Sequence, residues 1–109
     1  MACQAMQEIL EVVGRRWTGA ILVALTEQPR RFGEFRQLIP GLSDRMLSLR
    51  LKELKAQKLL ERHVVPATPV QVSYALTPLG RDLTAALQPL RAFGSCHLLP
   101  SSPHDGERS

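Results

Sequence analysis

The sequence predicts a mainly α domain with one small β-hairpin, an α+β fold in a single unit. Three observations carry this reading. Apolar residues recur at helical spacing along most of residues 4–93. One stretch, residues 70–76, instead alternates at period two, as a half-buried strand does. A helix with a basic outer side, Ser43 to Ala56, follows a shorter helix across a Pro-Gly turn.

Taken in order, Met6, Ile9, Leu10 and Val13 stand at i, i+3, i+4 and i+7 and predict an amphipathic helix over residues 4–13. Gly14 fits its C-terminal stop. A second helix is predicted over residues 15–26, with Trp17, Ala20, Ile21, Ala24 and Leu25 inward and Trp17, the single tryptophan, in the core. Gln28-Pro29 breaks the chain, and Phe32, Phe35, Leu38 and Ile39 predict a short third helix. Pro40-Gly41 is the turn.

The helix from Ser43 to Ala56 organises the rest. At about 100° per residue, Leu47, Leu51 and Leu54 fall on one stripe. Arg45, Ser48, Leu49 and Lys52 fall opposite, with Lys55 beside them and no acidic residue at the centre of that face. Asp44 sits in the first turn, where the helix N-terminus favours a negative charge, and Ser43 can cap the helix. Leucine inside with Arg, Lys and Ser outside suits a helix that lies in the DNA major groove. Most charged helix faces are only solvated surface, so the neighbouring elements decide. Two helices joined by a short Gly-containing turn, the second basic outside, form a helix-turn-helix.

Leu59 to Val65 is β-branched towards its end, Pro66 to Pro69 is a loop, and Val70, Val72, Tyr74 and Leu76 alternate with Gln71, Ser73 and Ala75. Two strands around a loop, directly after the recognition helix, predict a hairpin wing, so the fold is a winged helix-turn-helix. Thr77-Pro78 opens a last helix, Thr as cap and Pro in the first helical position. Leu79, Leu83, Leu87 and Leu90 line one face of it, and Pro89 is expected to kink or interrupt it. A terminal helix with such a stripe needs a partner surface, and a second copy of the chain is the natural one. Residues 1–94 are read as the winged helix-turn-helix domain, 78–93 as its dimerisation helix, and the polar residues 95–109 as a flexible tail.

The totals narrow the function. The chain has 109 residues, 44% of them hydrophobic, which allows one domain with a small core. A net charge of +4 favours an anionic partner. No apolar run approaches the about 20 residues of a membrane span, and the N-terminus shows no signal-peptide pattern, so a cytoplasmic protein without membrane contact is expected. Cys3 and Cys96 lack zinc spacing and are expected to be free thiols. His63, His97 and His104 are scattered without catalytic partners, and no glycine-rich phosphate loop or paired carboxylate motif occurs. Cys96-His97 with His104 has no fourth ligand. No enzyme, metal or cofactor is predicted, and no residue pattern names a small-molecule effector.

With the elements in this order, the sequence resembles the HxlR-type transcriptional regulators, a MarR-related branch of the winged helix-turn-helix proteins. The residues that carry the resemblance are Gly14-Arg-Arg-Trp17-Thr18, Arg31-Phe32-Gly-Glu-Phe35, Pro40-Gly-Leu-Ser43, Met46-Leu47, Leu51-Lys-Glu-Leu54, Val72-Ser-Tyr74-Ala-Leu76-Thr77 and Leu79-Gly80, within about residues 3–94. The resemblance implies a homodimer that represses or activates transcription from a pseudo-palindromic operator in double-stranded DNA. It implies dimerisation through the first and last helices, here by Leu10, Leu83, Leu87, Leu90 and Phe93, with Phe93 where the family commonly has tryptophan. Many members also carry a cysteine near the N-terminus, followed by proline, which in several senses oxidants or electrophiles. Cys3 stands at that position with Gln4 in place of proline, and is the candidate redox residue. No basic residue lies near it in sequence to lower its pKa, so an idle thiol is the competing reading.

Within the DNA reading, Arg45 is the first candidate for base recognition, because arginine can grip guanine bidentately; a phosphate contact is its alternative. Ser48 and Leu49 follow. Leu49 replaces a polar residue of the family and either meets a thymine methyl or is an exposed leucine without a role. Ser43 caps the helix, alone or together with a phosphate contact. Lys52, Lys55 and Arg31 are phosphate candidates. Arg50 flanks the leucine stripe and has either an internal salt bridge or a DNA contact. Arg62 and His63 lie in the first wing strand and Thr68 at the wing tip. Residues 66–69 hold no Lys or Arg, so the wing is expected to contribute shape more than charge. The competing class is a winged helix used for protein–protein contact without specific DNA binding.

Overall fold

The computed structural model describes residues 2–98. The elements are α1 (Ala2–Val13), α2 (Thr18–Glu27), α3 (Phe32–Leu38), α4 (Asp44–Ala56), β1 (Leu60–Val65), β2 (Gln71–Leu76) and α5 (Pro78–Phe93), followed by a π-helical turn at Gly94–Leu98. This is the winged helix-turn-helix order expected. The tail read from residue 95 onward therefore begins with that turn, and residues 99–109 lie outside the described ones.

The core gathers on the leucine stripe of α4. Leu47, Leu51 and Leu54 are buried with Ile21, Leu22 and Leu25 of α2, Phe35 of α3, Ile39 and Leu42 of the turn, and Leu59, Leu60 and Leu76 at the root of the wing. These apolar side chains leave water together, and that burial is the main force holding three short helices and a hairpin in one body.

Three expectations need correction. First, α2 starts at Thr18, and residues 14–17 form a turn with Trp17 in the left-handed region at φ 77°. The buried face of α2 is accordingly Thr18, Ile21, Leu22 and Leu25, at i, i+3, i+4 and i+7, while Ala20 is exposed. Trp17 is half-buried at the edge of the core. Second, Leu38 is 49% exposed at the end of α3, while Phe35 and Ile39 are buried and Phe32 packs half-buried against the core. Third, of the two effects expected of Pro89, interruption does not occur, since α5 continues past it to Phe93. Pro89 and Ala85, whose carbonyl loses its helical donor, are both exposed, so water can serve that carbonyl.

The wing is an antiparallel pair in the register Leu60 opposite Leu76 through Val65 opposite Gln71. A single isolated bridge from Arg30 joins it. The Arg30 N–H donates to the Tyr74 carbonyl at 2.9 Å and the Tyr74 N–H to that of Arg30 at 2.8 Å. The Tyr74 ring meets Phe35 edge to face, centroids 6.4 Å apart, and ties the hairpin to α3. At the start of α5, the Thr77 hydroxyl accepts from the Gly80 N–H at 3.0 Å and donates to the Lys58 carbonyl at 2.7 Å. That bond fastens the last helix to the end of α4.

Candidate nucleic-acid interface

α4 is shaped locally before it meets anything else. The Ser43 hydroxyl accepts from the Met46 N–H at 3.1 Å, which closes the first turn. At the other end, Lys58 takes the left-handed conformation, φ 64°. There the Leu59 N–H donates to the Leu54 carbonyl and the Lys58 N–H to the Lys55 carbonyl, the double bond of a Schellman cap. Between these caps, buried leucines fix the rotation of the helix. Arg45, Ser48, Leu49, Lys52 and Lys55 all stand exposed, Leu49 at 45%.

Arg50 does not belong to that face. It is 8% exposed, donates from Nε to the Arg16 carbonyl at 2.9 Å, and from its guanidinium to Glu53 Oε1 at 3.0 Å. The internal pair is therefore its role here. Arg36 of α3 reaches Asp44 Oδ1 at 2.9 Å, across the turn of the helix-turn-helix. Sequence reasoning missed this pair; only the turn geometry brings the two residues together.

The flanking candidates lie on separate elements. Arg31 is exposed at the N-cap of α3, its N–H held by Glu34 Oε1 at 2.8 Å. Arg62 is exposed on β1 opposite Tyr74, and Thr68 is exposed in the loop between the strands. His63 and Glu61, on the other face of β1, approach to 3.4 Å. The face of α4 is thus joined to Arg31 at its helix-turn-helix neighbour and to Arg62 on the wing by chain order.

The ends of the chain carry apolar surface. Met6, Ile9 and Leu10 of α1 and Leu90 and Phe93 of α5 are exposed, whereas Leu83 and Leu87 are half-buried against the core. An open groove of about 780 Å³ lies among α2, α5 and the turn after α3, with Val23, Leu38, Pro40, Leu87 and Leu90 in its wall. Cys3 and Cys96 are exposed free thiols. Among the described residues no group of three His, Cys, Asp or Glu could hold a metal, and no helix is long and apolar enough to cross a membrane.

Residues 12–102 match the HxlR-like helix-turn-helix family model. Over 91 residues the chain is 42% identical to the HTH-type transcriptional regulator YodB of Bacillus subtilis, covering 84% of this chain and 81% of that one. The structure of the reduced form of B. subtilis YodB superimposes with a TM-score of 0.81 at 39% identity, over 94% of this chain and all of that one. The redox regulator HypR in its reduced form gives 0.81 at 33% identity, over 84% of this chain and 91% of that one.

Proposed function

Because this chain belongs to the HxlR-like helix-turn-helix family and is a transcriptional regulator of helix-turn-helix type, we propose that it binds a pseudo-palindromic DNA operator sequence-specifically as a homodimer. The observation that carries this reading is the outward face of α4. A helix capped at both ends and rotationally fixed by buried leucines presents Arg45, Ser48, Leu49 and Lys52 to solvent with no carboxylate among them. Arg45 and Ser48 read base edges, and Leu49 packs on a thymine methyl. Lys52, Lys55, Arg31 and Arg62 neutralise phosphates, Ser43 caps the helix at the backbone, and Thr68 touches the duplex from the wing.

Dimerisation follows from the uncovered apolar ends. Leu10 of α1 and Leu90 and Phe93 of α5 are each more than half exposed, Phe93 with its ring centroid 4.8 Å from that of His97, and an apolar patch of this kind marks a contact surface. Leu83 and Leu87 continue it toward the core. A second copy meeting the same surface gives two-fold symmetry, which a pseudo-palindromic site mirrors. Cys3 is an exposed thiol on α1, the helix at this surface. Its oxidation alters the dimer and thereby the spacing of the two recognition helices.

A duplex enriched from a random-sequence library by the protein, with its scrambled counterpart as control, tests the reading by fluorescence anisotropy with and without a thiol oxidant. Tight binding to the enriched duplex by a dimer, with an oxidant response lost in Cys3→Ser, is expected. Equal, weak binding to both duplexes would reject specific recognition and leave a protein-binding winged helix.

A further inference from the structure

Three consecutive residues at the corner between α1 and α2 touch the middle and C-terminal half of the recognition helix and the turn that precedes it. The Arg16 carbonyl accepts from Arg50 Nε at 2.9 Å. Arg50 is also joined at 3.0 Å to Glu53, and Glu53 faces Arg15 Nε at 4.0 Å. Trp17 lies over the turn that leads into α4: a Cβ added at Gly41 would stand 3.5 Å from the edge of the indole. Gly41 itself has φ +90°, a conformation side chains rarely adopt.

The corner owes its shape to Trp17. Were residues 15–17 helical, the Arg16 carbonyl would be spent on a donor one turn ahead in α2. With Trp17 left-handed at φ 77°, that peptide turns away from α2, and its carbonyl is free for Arg50. A tryptophan in this region is strained and persists only where its surroundings hold it. The Arg16 guanidinium stacked 4.8 Å over the indole is part of that hold.

We propose that Arg50 is a positioning residue for DNA recognition: through it the α1–α2 corner sets the angle at which α4 presents Arg45 and Ser48, and a displacement of α1 reaches α4 by the same route. The proposal rests on the reading of α4 as the DNA-binding element. Arg50 touches no DNA in it. Its fork suits two acceptors at once, a carbonyl and a carboxylate, which a neutral amide cannot replace. An anchor one side chain wide, buried, bonded to the Arg16 carbonyl and steadied by Glu53 of its own helix, transmits displacement because a packed interior does not absorb it.

The test is Arg50→Gln, titrated on the library-enriched and scrambled duplexes across a range of salt, with thermal unfolding followed alongside. Affinity for the enriched duplex should fall about tenfold, the size a coupling residue away from the ligand can reach. Affinity for the scrambled duplex and the slope of log K against log salt should not change, because no phosphate contact is lost. Arg50→Lys, which keeps the charge beside Glu53, should recover part of the loss. A reduced salt slope with equal losses on both duplexes would make Arg50 a phosphate contact, and unchanged affinity would show that the anchor positions nothing; either overturns the proposal. If Arg50→Gln does not unfold cooperatively, Glu53→Gln takes the same test, with about a threefold loss on the enriched duplex expected. A wild-type chain that fails to discriminate the two duplexes would instead reject the DNA-binding reading, and this proposal with it.

Discussion

Arg36 Nε stands 2.9 Å from Asp44 Oδ1, so a cation of α3 is held on the carboxylate in the first turn of α4, with both side chains more than half exposed. The carboxylate suits the helix N-terminus, but in the proposed complex phosphates would repel it. Arg36 cancels that charge. Arg36→Ala should lower affinity for every duplex by roughly three- to tenfold, equivalent to about 1 kcal/mol. Arg36→Ala with Asp44→Asn should recover most of it. If Arg36→Ala is as harmful in the Asp44→Asn background as alone, Arg36 contacts phosphate directly and the neutralisation argument is wrong.

Arg45→Ala tests base reading. Arg45 is exposed in the first turn of α4 and makes no ion pair with any described residue. Its loss should cost about 1–3 kcal/mol on the enriched duplex and relax preference at one position of the site. Competition with single-position variants of the duplex measures this. The same loss against every sequence would reduce Arg45 to a phosphate contact.

Lys52→Ala should behave differently, because lysine two turns along the same face acts as a point charge. All sequences should weaken alike, and the slope of log K against log salt should decrease by about 1. An unchanged slope would remove Lys52 from the footprint.

The recognition helix was legible because its signals are local. Helical spacing placed Leu47, Leu51 and Leu54 inward, the opposite face followed, and Ser43 marked the start. The wing was legible through alternation in β2 and the two prolines of its loop. The α1–α2 corner was not, because the left-handed Trp17 goes with a hydrogen bond that the Arg16 carbonyl accepts from Arg50, 34 residues further along the chain. Residues 15–17 read as a continuation of α2 when only their own spacing is weighed. The Arg30–Tyr74 bridge and the Arg36–Asp44 pair were hidden for the same reason: each joins segments that only the folded chain brings together. Arg50 marks the border between the two cases. Its place beside the leucine stripe left two roles open, and the hydrogen bond to Arg16 decided between them.

The junction of α4, β1 and α5 makes two glycine substitutions opposite in sign. Lys58 occupies the left-handed position of a Schellman cap at φ 64°, where a Cβ is disfavoured and glycine is at ease. Lys58 is exposed and forms no ion pair with a described residue, so its side chain offers little against that strain. Lys58→Gly should raise stability by about 1 kcal/mol. Gly80 is the reverse case. It is buried in the first turn of α5, and an added Cβ would overlap the Leu59 carbonyl oxygen and press on Leu76. Neither neighbour can yield easily, since the Leu59 carbonyl accepts from the Thr77 N–H at 3.1 Å and Leu76 is paired with Leu60 across the wing. Gly80→Ala should therefore destabilise by about 1–3 kcal/mol, the range of core overpacking, despite alanine's better helix propensity. Chemical denaturation of both variants checks the pair. A neutral Gly80→Ala would mean that α5 moves off β1 without penalty, and the helix would then not be fastened through Thr77 as described.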